Sequence, residues 1–219
     1  MTQKGLRGVL IATAIVLFVL VGMSLVLDIH HEVVGPYYWY GYGEYGLWGA
    51  LDTLIGAGSF IYCSLLAVAS ILFMVGNHKT HMSRAIGILF FVAVFFEFLR
   101  ALGALHPSYG ESLLFNIVIW QTGVLMIGIV WLLMGRYYKQ RSMVVLGAIV
   151  TGLLAVLTLI QLFEIADYTE IMPYFIKNLG YITANILTGV FLLNWAKHTV
   201  PQVAPKQAEE GVEMLFNNI

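Results

Sequence analysis

Glu97 and Arg100 stand three residues apart in the run Phe95-Phe96-Glu97-Phe98-Leu99-Arg100-Ala101-Leu102, a carboxylate and a guanidinium set in an otherwise apolar stretch. On a helix this spacing puts both on one side with Ala93, Ala101 and Ala104, while Phe95, Phe98, Leu99 and Leu102 cover the rest. A charge left in lipid costs roughly 2.5–3.5 kcal/mol on insertion scales, so the small and charged side must face protein or water. Three kinds of chemistry fit such a pair. It can be a structural ion pair, Glu97 can serve as an acid or base, or Arg100 can clamp a carboxylate or phosphate through an edge its own partner leaves open.

Asp52, Gln121, Gln161, Glu164 and Lys177 are further polar side chains within or at the ends of apolar runs. With Glu97 and Arg100 they make a candidate ligand-binding or buried polar network. Two cations and several carboxylates at similar depth cannot stay unpaired in lipid, so Glu97, Arg100 and Lys177 are expected to share one interhelical network with Glu164 or Asp52. His30, His31 and His106 supply metal-ligand types, but adjacent histidines do not aim at one tetrahedral centre, and no metal site is expected from them. No histidine falls mid-membrane in the manner of a helix-ligated haem. Gly-x-Ser-x-Gly, His-Glu-x-x-His and the phosphate-binding Gly-x-x-x-x-Gly-Lys-Ser/Thr are all missing, so no catalytic residue or cofactor is assigned.

The elements that must position these groups are membrane spans. Hydrophobic residues make up 60% of the 219-residue chain and charged ones 11%, with a mean hydropathy of +0.85; a soluble domain of this size does not reach such values. The chain reads as an all-α integral membrane protein, six transmembrane helices in one bundle over residues 1–196, with a polar tail from 197 to 219. The spans are expected at Leu6–Leu27, Leu47–Val75, Ser83–Leu105, Leu113–Met134, Met143–Ile165 and from Pro173 to about Trp195. Asp28 to Gly46, with its tyrosines and Trp39, is expected to be a loop at the membrane surface. Cys63 is the single cysteine, so no internal disulfide can form.

Charge is segregated along the chain. Lys4, Arg7, Lys79, Arg84, Arg136, Lys139, Arg141, Lys197 and Lys206 all fall on the side of the termini, which the positive-inside rule makes cytoplasmic, and the expected host membrane is the plasma membrane. Nine of the twelve acidic residues fall on the opposite side, a field that gathers cations. Counting about 1.5 Å of helical rise per residue puts Glu97 and Arg100 roughly 20 and 24 Å from the cytoplasmic edge, in the outer third of the membrane. Asp52, Gln121, Glu164 and Lys177 share that leaflet. The expected picture is an outward-facing polar pocket, with the loop around Trp39 as its lid, above an apolar plug. In size and topology the chain is similar to the substrate-binding components of vitamin-uptake transporters, a likeness of architecture without a matching motif.

Three function classes follow, ranked in this order: a membrane-embedded binding or transport component for a small molecule or cation, a non-catalytic accessory subunit of a larger membrane complex, and a membrane enzyme using Glu97 as acid or base. The bilayer, a ligand from the outer side and other membrane subunits are the expected partners, and nucleic acid is not among them.

Overall fold

A computed structural model describes residues 2–34, 46–77, 81–105, 121–167 and 172–199. They form six helices: α1 (Thr2–Val34), α2 (Leu47–Gly76), α3 (His81–Leu105), α4 (Thr122–Tyr137), α5 (Arg141–Asp167) and α6 (Tyr174–His198). Each packs on its neighbour in the chain, and α6 closes the ring against α1. Asn178 at the start of α6 donates to Asp28 near the end of α1 at 3.0 Å, so these two helices run antiparallel. Short connections between antiparallel helices produce this kind of up-and-down bundle.

Five helices, all but α4, are long and apolar enough to cross a membrane. The chain is therefore an integral membrane protein. The outer surface agrees: Ile15 and Val19 on α1, Ile61 and Val68 on α2, Phe91 and Phe95 on α3, and Val156 and Phe163 on α5 all face away from the bundle. Thr13 and Ser70 satisfy their hydroxyls within their own helices, donating to Val9 O at 2.7 Å and to Ala67 O at 2.7 Å. Lipid offers them no alternative partner.

The element boundaries differ from expectation in two places for physical reasons. The first part of the surface loop expected from Asp28 is helical, since no residue from Asp28 to Val34 breaks a helix and α1 runs on to Val34; residues 35–45 lie outside the described residues. Asp28 and His30 are thus helical. The basic turn expected over Gly135–Ser142 shrinks to residues 138–140, closed by Gln140 N–H on Gly135 O at 3.3 Å and Lys139 N–H on Arg136 O at 3.1 Å. These two bonds make a Schellman cap, with Lys139 in the left-handed region at φ 54°. The expected fourth span began at Leu113; residues 106–120 lie outside the described residues, and α4 itself is 16 residues long. Trp39 and most of the tail lie outside them too.

The end of the bundle where α1 starts and α6 ends is filled by aromatic rings. Trp131 packs on Phe191 at 5.1 Å and on Phe90 at 5.4 Å, while Phe73 packs on Tyr137 at 5.6 Å and on Trp195 at 5.9 Å. All but the tilted Trp131–Phe191 pair meet edge to face, a geometry that adds to area burial. Asn77 ties the same end together, donating to Phe73 O at 3.2 Å and accepting from Tyr137 OH at 3.3 Å.

Candidate functional site

At the opposite end the helices part around a cavity of about 470 Å³ to which all six contribute. Its α1 wall is Leu17, Val21, Ser24 and Asp28, a run at helical spacing that passes from apolar to acidic. From α2 come Asp52, Ser59 and Tyr62, from α3 Glu97 and Arg100, from α4 Val124 and Ile127, and from α5 Leu154. From α6 come Asn178, Tyr181, Ile182, Asn185 and Thr188. Going from Asp28 to Leu17, or from Asn178 to Thr188, covers roughly 15 Å of helix axis. The acidic groups of α1 and α2 sit at the end where α1 finishes and α2 and α6 begin; the aromatic-filled half lies beyond the other end.

α3 presents Glu97 as the spacing predicts. Ala93 and Ala101 are buried with it, and Phe95, Phe98 and Leu102 lie outside. Glu97 is 5% exposed and accepts from Arg100 on its own helix, from Nε at 3.0 Å and from a terminal nitrogen at 2.8 Å, both on the same carboxylate oxygen. The Arg100 side chain keeps 31% of its surface exposed. Lys177 donates to Glu164 across α5 and α6 at 2.7 Å, and the other Glu164 oxygen accepts from Met172 N–H at 2.9 Å. Glu164 therefore clasps the α5–α6 connection.

Two ion pairs stand among these groups, one within α3 and one between α5 and α6. Between them stands Tyr181, whose hydroxyl donates to Gln161 at 2.9 Å. Of the seven candidate polar residues, Asp52, Glu97 and Arg100 line the cavity, whereas Gln121, Gln161, Glu164 and Lys177 do not. Gln121 is 2% exposed, and neither end of its amide has a partner among the described residues. His30 lies on α1, the side chain of His31 and all of His106 lie outside the described residues, and no three His, Cys, Asp or Glu side chains gather in a metal-holding group among those described.

Sequence reasoning did not put Asp28, Tyr62 or Asn178 in the site. Asp28 was readable: Leu17, Val21, Ser24 and Asp28 follow the four-three-four spacing of one helix face. On α6 the spacing predicts an inward stripe of Lys177, Gly180, Tyr181, Ala184 and Thr188, of which Tyr181 and Thr188 lie on the cavity wall. Lys177 and Gly180 face α5, on Glu164 and against Leu157, while Asn178, Ile182 and Asn185 join the cavity wall. Compared with protein-family models, with curated proteins and with solved structures, the chain matches none.

Proposed function

We propose that the chain spans the plasma membrane six times with both termini in the cytoplasm, and that it is a binding or transport component whose cavity takes a small molecule or cation from the outer side. The sixth span in this reading is α4 with the apolar residues before it. The observation that carries the proposal is the cavity itself: six helices surround a space of about 470 Å³ bearing three carboxylates and one guanidinium, within the range of roughly 300–1,000 Å³ usual for ligand sites. The ring-filled half beyond it favours binding or alternating access over an open pore through one subunit.

A second reading, the accessory subunit, draws on the two ion pairs, which consume four of the seven candidate polar residues. The enzyme reading has less support, since the Glu97 carboxylate is committed to Arg100 on its own helix. Purification from native membranes, followed by mass spectrometry of what travels with the protein, separates the readings. The binding reading expects a small molecule with the natural chain that is lost from Ser59→Trp, a substitution that fills the cavity without touching a charge. A protein partner at fixed stoichiometry and no such molecule would favour the accessory subunit.

A further inference from the structure

Resting on that binding reading, we propose that the cavity's ligand is an organic monocation, an ammonium group carried on an apolar body. The charged side chains on the cavity wall are Asp28, Asp52, Glu97 and Arg100. Glu97 and Arg100 offset each other at 2.8 Å. Asp52 is exposed and makes no ion pair among the described residues. Lys177, the other cation set into a span, is engaged by Glu164 away from the cavity wall and so does little to offset the acidic end. An anion bound for Arg100 would have to pass Asp52 and Asp28, whereas an ammonium is drawn to them.

Size and wall chemistry supply the rest. A bare metal ion needs several convergent ligand side chains, and the described residues offer no such group. The cavity also has room for far more than an ion. Deeper than the acidic end Leu17, Val21, Ile127 and Leu154 line the wall together with the uncharged polar Asn185 and Thr188; the apolar part gives a strongly hydrated cation nothing, while a hydrocarbon or aromatic body gains about 25 cal/mol for each Å² it buries there. The ligand then lies with its ammonium at Asp52 and Asp28 and its body toward Thr188.

The test uses the full chain in nanodiscs of zwitterionic lipid and three size-matched probe series at neutral pH: amines, alcohols and carboxylates on alkyl or aryl bodies of about six to ten carbons, sized to the cavity range. Thermal unfolding is followed against probe concentration. Only the amines should raise the unfolding temperature, saturably. Asp52→Asn should weaken their apparent affinity about tenfold or more, equivalent to about 1.4 kcal/mol, and Ser59→Trp should abolish the effect. Stabilisation by alcohols or carboxylates as large as that by amines, and lost in Ser59→Trp, overturns the ligand class while the binding reading stands. An amine effect unchanged in both variants marks adsorption to the bilayer and overturns the proposal. No effect from any series removes both the proposal and the reading beneath it.

Discussion

Glu97 and Arg100 act first on each other. Arg100 places two nitrogens on one Glu97 oxygen, and Glu97 has almost no surface of its own. Removing one partner leaves the other desolvated, at about 3–5 kcal/mol where a pair is fully buried. Because Arg100 keeps nearly a third of its surface, Glu97→Gln should lower stability by a smaller amount, about 2 kcal/mol. Adding Arg100→Met should recover part of that loss in a chemical-denaturation cycle; strictly additive losses would show that the pair does not couple. The pair was legible from its three-residue spacing alone. The place of Asn178 was not, because a stripe assigned from sequence puts Tyr181 and Thr188 at the cavity wall and leaves the width of the inward face of α6 open.

At the scale of elements, the tightest packing is between α4 and α5. A Cβ on Gly147 would lie 2.8 Å from the backbone carbon of Trp131, and one on Gly135 would lie 2.7 Å from the backbone nitrogen of Val144. Backbone cannot swing aside as a side chain does. Gly147→Ala should therefore cost about 1–3 kcal/mol through overpacking, while Gly152→Ala on the same helix, with nothing within 4 Å, should be neutral or stabilising by about 0.4–1 kcal/mol. Equal effects in an unfolding assay would contradict the close approach of the two helices. The α4–α5 turn gives a second comparison. Lys139 holds the left-handed position of its cap at φ 54°, where a Cβ costs roughly 1–2 kcal/mol, so Lys139→Gly should raise the unfolding midpoint. The helices themselves were readable from long apolar runs bounded by Gly, Pro and charge. Their ends were less so: Asp28 and His30 look like loop residues by polarity, yet both lie within α1, where no neighbouring residue breaks a helix.

Across the whole molecule the polar and aromatic halves divide the labour. Rings from α2, α3, α4 and α6 fill one end, and the acidic cavity occupies the other. Composition foretold the class and the segregation of basic residues suggested the sidedness, but a cavity depends on how six helices splay apart, which no single helix encodes. The proposed orientation, with both termini cytoplasmic, predicts that a Cys placed at exposed Lys139 resists an impermeant thiol reagent in intact cells and reacts once they are permeabilised, while one at Gly46 reacts from outside directly. The most direct measurement of the central claim applies the same reagent to the cavity. In a Cys63→Ala background, Ser59→Cys lies on the cavity wall and Ala69→Cys lies at a fully buried position on the same helix. A water-filled, outward-open cavity predicts that a small cationic thiol reagent added outside intact cells modifies the first and not the second. If Ser59→Cys is as inert as Ala69→Cys, or reacts only after permeabilisation, the outward-facing binding cavity is contradicted.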